Sequence, residues 1–320
     1  MRAVVQDAYG AADLMRPATI PKPAIAASEV LVRVRAAGVD RGTWHLMTGR
    51  PYLMRLLGFG LRRPKNRVPG LDLAGTVVAV GSGVTRFKAG DEVFGIGRGS
   101  FARYAAARED RLVHKPAALD FPHAAVVPVS GLTALQALRD LGRVQAGQKV
   151  LVVGASGGVG TYAVQLARAL GAEVTGVCSH AKLDLVRSIG ADHVIDYSRE
   201  DFADGARRYD LILDVGGSSS LLRLRRALAS AGTLVIVGGG GAWTGMGRQL
   251  HALALSPFVR QRLTVLLSRQ RLADLEALTR FVDEGRVAPV LDRTYPLAEA
   301  PDALHQLEAG HVRGKIALTP

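Results

Sequence analysis

The stretch Val150-Leu-Val-Val-Gly-Ala-Ser-Gly-Gly-Val-Gly-Thr161 constrains the fold of this 320-residue chain more than any other. The apolar run Val150 to Val153 meets a glycine cluster at once, and Val159, Ala163, Val164, Leu166 and Ala167 follow at helical spacing. That pattern predicts a buried strand turning sharply into a helix. Glycines allow the tight turn and let a pyrophosphate approach the N–H groups at the helix start, where the helix dipole also favours negative charge. Gly154, Ala155, Ser156, Gly157, Gly158, Val159 and Gly160 are therefore candidate dinucleotide contacts. The pattern reads Ala155-x-Gly157-x-x-Gly160, with alanine where the commonest fingerprint has its first glycine, so a glycine turn without a ligand stays open on these residues alone.

The surrounding elements favour the dinucleotide. From about Phe121 the chain alternates: helical spacing over Val126–Leu141, the Val150 strand and its helix to Leu170, strand Glu173–Cys178, helix Lys182–Ile189 and strand His193–Ile195. Strand Leu211–Asp214, helix Ser218–Ala229 and strands Thr233–Val237 and Leu263–Leu267 follow, which predicts a doubly wound parallel Rossmann sheet over residues 121–270. Residues 1–120 instead show short strands broken by Gly and Pro, at Ala3–Gln6, Val30–Ala37, Leu71–Val80, Glu92–Phe94, Tyr104–Ala106 and Leu112–His114. This is an all-β, barrel-like unit, and the tail 271–320, with a helix at Leu272–Glu284 and a short strand at Lys315–Leu318, returns to it. The fold class is thus α/β with a second, β-rich domain.

With 48% hydrophobic and 22% charged residues, and no apolar run long enough to span a bilayer, the chain reads as soluble. Its start reads as a first strand rather than an export leader, and its one cysteine, Cys178, excludes intrachain disulfides and multi-cysteine zinc sites, so a cytoplasmic setting is expected. The net charge of +13 is spread along the chain, and Arg62–Arg67 is the one tight basic run. A surface that attracts an anionic cofactor explains this better than a nucleic-acid partner.

The segment Val68–Gly95 carries a further pattern, with Gly70-Leu-Asp-Leu-Ala-Gly75 at its head and Gly90-Asp-Glu-Val-Phe-Gly95 at its tail. Together with Gly131-Leu-Thr-Ala134, Gly154–Gly160, Gly190-Ala-Asp-His-Val-Ile-Asp-Tyr197 and Gly314-Lys-Ile316, it resembles the medium-chain dehydrogenase/reductase superfamily, in its zinc-independent quinone oxidoreductase branch. The resemblance implies a GroES-like substrate domain joined to the Rossmann domain, with the active site between them. The positions that carry the Cys, His and Cys ligands of the zinc enzymes are here Asp40, Leu71 and Val129. One possible donor of three does not hold a catalytic zinc, so no metal is expected.

The strand after the glycine turn ends in Cys178-Ser-His-Ala-Lys182, with no carboxylate for a free ribose diol. Ser179 and Lys182 offer a hydroxyl and an ammonium to a 2′-phosphate, so NADPH is the expected cofactor; a plain N-cap is the alternative for Ser179, and an ordinary helix charge for Lys182. The resemblance adds Tyr197 to that pocket, Lys315 to the cofactor contacts, and Thr133 beside the nicotinamide ring, where a core or capping threonine is the alternative. Gly216, Gly217, Gly238, Gly239 and Gly240 close two later strands where backbone must pass near the nicotinamide half, or serve as simple turn glycines.

Without a metal Lewis acid, hydride transfer suits acceptors that delocalise the charge they gain, such as quinones or α,β-unsaturated carbonyls. Candidate catalytic residues lie in the loop Val39–Gly49 and just beyond it. Asp40 stands where the zinc-free branch usually has Asn; His45 aligns with the relay histidine of some zinc alcohol dehydrogenases, or is a packing residue; Tyr52 is a further proton donor. The apolar run Pro51–Gly60 is either a lid over a hydrophobic substrate mouth or a satellite core. Other readings are a dehydrogenase acting on an alcohol or carbonyl without zinc, and a non-catalytic NADPH-binding protein, RNA binding included. The apolar strand Leu263–Leu267, last in its sheet, invites a homodimer, which the resemblance also implies.

Overall fold

The computed structural model describes residues 1–52, 55, 60–238 and 247–320. Gly239, Gly240 and most of the apolar run 51–60 lie outside the described residues. The chain divides into two compact units: residues 1–130 with 270–283 and 289–320, and residues 131–269 with 284–288.

In the first unit, strand β1 (Arg2–Val5) pairs antiparallel with β2 (Arg16–Thr19). The organising strand is β3 (Glu29–Val39), whose valines at 30, 32 and 34 point inward while Arg33 and Arg35 point to water, the period-two pattern of a half-buried strand. Helix α1 (Arg41–Thr48) follows, where the sequence predicts a loop. Its glycine and threonines are poor helix formers, but it is capped at both ends: Asp40 accepts the Thr43 N–H at 2.7 Å, and Gly49 ends it in the left-handed region at φ +63°. Then come β4 (Asp72–Val80), β5 (Glu92–Ile96), β6 (Tyr104–Arg108) and β7 (Leu112–His114). The short helix α2 (Phe121–Ala125) packs on β3 and β4, which places residues 121–130 with this unit rather than with the Rossmann sheet.

Helix α3 (Pro128–Gln136) leads into the second unit, where β8 (Lys149–Val153), α4 (Gly158–Ala169), β9 (Glu173–Cys178), α5 (Leu183–Ser188) and β10 (His193–Asp196) alternate as expected. Next are β11 (Tyr209–Asp214), α6 (Leu221–Ala227), β12 (Leu228–Ile236), α7 (Gly247–Leu255) and β13 (Arg262–Val265). All six strands run parallel, in the order β10-β9-β8-β11-β12-β13. This is the doubly wound dinucleotide order, reversing direction at β8, so the carboxyl ends of β8, β9, β11 and β12 frame a ligand crevice. Strand β13 is the edge, and Leu267 just beyond it is 79% exposed.

Helix α8 (Leu272–Asp283) belongs to the first unit, and β14 (Leu291–Pro296), α9 (Ala300–Glu308) and β15 (Lys315–Thr319) complete it. The resulting seven-stranded sheet runs β14-β15-β3-β4-β5-β7, with β6 also on β3. Its core gathers the inward valines of β3, Leu73, Phe101, Leu304 and Leu318. The core of the second unit gathers Leu151, Tyr209, Ile212, Leu234 and Leu263.

Candidate functional site

The turn after β8 is built from backbone. Gly154, at φ +87°, and Ala155 both donate to the Val177 carbonyl of β9 at 3.0 Å, which pins the turn to the neighbouring strand. A Cβ on Gly154 would lie 2.9 Å from the Gly216 nitrogen, so the ends of β8 and β11 approach backbone to backbone. Gly160 has no room at all, since its Cβ would sit 2.1 Å from the Gly154 carbonyl oxygen. At Gly157 the nearest protein atom to a Cβ is 3.6 Å away: the protein leaves that point open. Gly157 is also the N-cap of α4 and makes no side-chain cap, so the first-turn N–H groups are presented to whatever lies beyond the turn. Ala155 departs from the glycine fingerprint at no steric cost, because its methyl faces Gly176 of β9, where an added Cβ would lie 3.0 Å from it.

At the end of β9, Ser179 occupies the cap position of a single helical turn, yet its hydroxyl makes no cap bond. Lys182 closes that turn, half-buried, and Tyr197 after β10 is 58% exposed. An acid does reach this corner, from the neighbouring strand. Asp196 pairs with Cys178 in the β10–β9 register. Its carboxylate is already engaged by the Ser198 N–H at 3.0 Å, the Ser198 hydroxyl at 2.7 Å and His180 Nδ1 at 3.2 Å. The Ser198 bonds, and His180 beside it, hold it below the usual carboxylate range. Burial and the nearby Asp196 charge push the Cys178 thiol up to about 11, so the one cysteine is no nucleophile.

The ends of β11 and β12 meet at Asp214. Its side chain is fully buried, accepts the Gly217 N–H at 3.2 Å and lies 2.5 Å from Arg248 of α7. Gly217 is at φ +72°, and a Cβ on Gly238 would lie 2.3 Å from the Val215 carbonyl oxygen, so this crossing requires glycine. Thr133 lies on α3 and is largely buried.

In the first unit three strand ends converge. Ala37 pairs with Leu73, which brings Asp72 beside Gly38, and Gly38 pairs with Ala317, which lies on the same strand as Lys315. Asp72 and Lys315 are 0% and 2% exposed, and Lys315 Nζ lies 3.6 Å from Asp72 Oδ2. Burial raises Asp72 to about 8, against the pull of Lys315, and the Asp40 charge adds to the rise. Asp40 is buried as the cap of α1, with Oδ2 left over. His45 packs edge-on against Trp44, and its Nδ1 lies 2.8 Å from the Arg50 carbonyl oxygen. A carbonyl only accepts, so Nδ1 carries the proton and Nε2 is the acceptor. Burial lowers the His45 pKa, which keeps the ring neutral. Tyr52 is half-exposed, with the Arg55 guanidinium 4.7 Å above its ring.

Comparison with known proteins agrees with this arrangement in both units. Residues 26–117 match the alcohol dehydrogenase GroES-like domain, and residues 189–318 match the zinc-binding dehydrogenase domain. The chloroplast envelope quinone oxidoreductase homolog of Arabidopsis thaliana is 33% identical over 100% of this chain and 98% of its own length. The chain belongs to the medium-chain dehydrogenase/reductase superfamily, in its quinone oxidoreductase branch. The NADPH-dependent alkenal/one oxidoreductase of the same plant is 31% identical, over 100% of this chain and 80% of its length. Among solved structures, the Escherichia coli quinone oxidoreductase complexed with NADPH superposes with a TM-score of 0.87 at 25% identity, covering 100% of both chains.

The structure gives the three positions that the sequence resemblance sets against zinc ligands the following surroundings. Asp40 caps a helix, Leu71 is an aliphatic residue at the head of β4, and the Val129 N–H donates to Asp72 Oδ1 at 2.9 Å. Among the described residues no group of three metal-ligating side chains comes together, and no helix is long and apolar enough to cross a membrane. The structure brings the glycine turn, Ser179, Gly216, Gly217 and Gly238 to one end of one sheet. It places Asp40, His45, Tyr52 and Lys315 in the other unit, with Lys315 turned onto a buried carboxylate. Sequence reasoning missed Asp72, Asp196, Asp214 and Arg248. Two of the acids stand at strand ends beside residues that were read, Asp214 before its glycines and Asp196 before Tyr197, so a charged residue closing an apolar strand was the signal available.

Proposed function

We propose that the protein is an NADPH-dependent oxidoreductase that passes hydride to a quinone or an α,β-unsaturated carbonyl without zinc. The observation that carries this reading is the open point at Gly157, in the turn after the reversal strand of the sheet, with Ser179 and Lys182 just past the carboxyl end of the next strand and no carboxylate at that end. The first-turn N–H groups of α4 would hold the pyrophosphate, and the Ser179 hydroxyl and Lys182 ammonium the 2′-phosphate. Gly216, Gly217 and Gly238 would let the chain pass close to the rest of the dinucleotide, and Gly239, Gly240, Thr133 and Tyr197 complete the proposed contact set. When bound, the reduced nicotinamide supplies the hydride. The aligned positions offer one carboxylate and two aliphatic residues where a zinc site needs three donors, which supports an acceptor that spreads its own developing charge. Neutral His45 accepts at Nε2 and so holds a water or a substrate hydroxyl, leaving Tyr52 Oη as the donor toward the acceptor's oxygen.

The assay is loss of the reduced-nicotinamide absorbance with a panel of quinones and enones. Lys182→Ala is expected to raise the Michaelis constant for NADPH by about tenfold, the worth of one charged hydrogen bond, and to leave that for NADH within about twofold. Equal effects on both would count against the 2′-phosphate assignment. A second copy is expected to pair on the exposed edge of β13, so the protein should sediment at twice 33.8 kDa; a monomer at micromolar concentration contradicts that.

A further inference from the structure

Arg248 is the feature of the second unit that the cofactor reading does not use. Its guanidinium lies 2.5 Å from Asp214 Oδ2, donates to the Ser219 carbonyl at 2.7 Å and donates to the Gly238 carbonyl at 3.0 Å. Those acceptors belong to the two segments that leave the carboxyl ends of β11 and β12. Both charges are buried, with side chains 14% and 0% exposed. A buried pair of this kind rarely adds stability over apolar packing, so its presence at the sheet end calls for a positional explanation. The guanidinium supplies one: a planar fork donates to two backbone carbonyls from separate nitrogens while lying against the carboxylate, a geometry that an ammonium does not reproduce. Burial raises the Asp214 pKa, and Arg248 is the charge that opposes the rise among the described residues. The segment 239–246 between Gly238 and α7 contains no ionisable side chain. Among the described residues, Asp214 therefore has Arg248 as its one counter-charge.

We propose that Arg248 is a positioning residue that fixes the spacing of the Gly216–Gly217 and Gly238 backbones, and through them the seat of the nicotinamide half of the dinucleotide. This rests on the function proposed above. It deepens that reading by separating the adenine end, held at α4 and the end of β9, from the nicotinamide end, held by the Asp214–Arg248 bridge.

The test is fluorescence titration with NADPH between pH 6 and 9, with adenosine 2′,5′-bisphosphate as a probe of the adenine end alone. Arg248→Met is expected to weaken NADPH by about tenfold at pH 7, because the two backbones lose their shared tether, and further as the pH rises, because Asp214 then ionises in a buried site without a counter-charge. The bisphosphate should bind this variant as it binds wild type. Arg248→Lys restores the charge but not the fork, so it should follow the wild-type pH profile while staying roughly fivefold weaker. Asp214→Asn combined with Arg248→Met should lose the extra pH dependence. Equal weakening of NADPH and the bisphosphate in Arg248→Met would make Arg248 merely structural, and unchanged NADPH binding would also overturn the inference. Wild-type protein that binds neither NADPH nor NADH removes the proposed function, and the inference with it.

Discussion

Alanine at Gly157 is expected to leave the fold standing and to weaken dinucleotide binding by more than about thirtyfold, roughly 2 kcal/mol. The residue sits at an ordinary negative φ, as the cap of α4, and a methyl there finds its nearest neighbour at 3.6 Å. Nothing in the protein resists the substitution, so the melting temperature should fall by no more than about 2 °C, the worth of a weaker cap residue. What the methyl meets is the pyrophosphate that approaches the first-turn N–H groups. Gly160 makes the opposite case three residues on. Its Cβ would press 2.1 Å from the Gly154 carbonyl oxygen, so Gly160→Ala must push β8 and α4 apart and should cost about 3 kcal/mol of stability. Thermal melts beside NADPH titrations separate the two. A Gly157→Ala protein that melts and binds like wild type would mean that the turn faces no phosphate.

The sequence made most of the second unit legible because its signals are local. An apolar run, a glycine cluster and a helical repeat lie within twenty residues of Val150, and the rule that doubly wound sheets bind ligand at strand ends does the rest. Helix α1 was not legible from periodicity. Asp40 and Gly49 are its signals, a cap at each end of a stretch too short and too rich in Gly and Thr to show an amphipathic pattern. Strand β14 was missed for a different reason: it is largely exposed and exists through its pairing with β15. The buried charges were the least legible. Asp214 and Arg248 are separated by a helix, a strand and a glycine-rich run, and Asp72 and Lys315 come from the first and last quarters of the chain. Such pairs are set by sheet order, which sequence spacing does not encode. Asp196 shows the same limit within one domain, since the acid near Ser179 arrives from the adjacent strand rather than from further along its own.

The buried pair in the first unit should be visible in the pH dependence of stability. Asp72 rises from 3.8 to about 8 because it is fully buried, while in the unfolded chain it titrates as an ordinary carboxylate. Between those values the folded protein keeps a proton that the unfolded chain has released, so stability falls as the pH rises. The slope approaches about 1.4 kcal/mol per pH unit, or roughly 4 kcal/mol from pH 5 to pH 8, and levels off above that. Asp72→Asn keeps an acceptor for the Val129 N–H and removes the titration, so its stability should change less steeply over the same range, by urea denaturation of both proteins in parallel. Identical slopes would mean that Asp72 is ionised throughout and held as a true ion pair with Lys315. Gly38 supplies an independent check. It lies between the two strands that carry the pair, and a Cβ there would stand 3.2 Å from Asp72 Oδ2 and 2.4 Å from the Ala125 carbonyl oxygen. Gly38→Ala should therefore destabilise the first unit by about 2 kcal/mol or more at every pH, through displacement of Asp72 and α2.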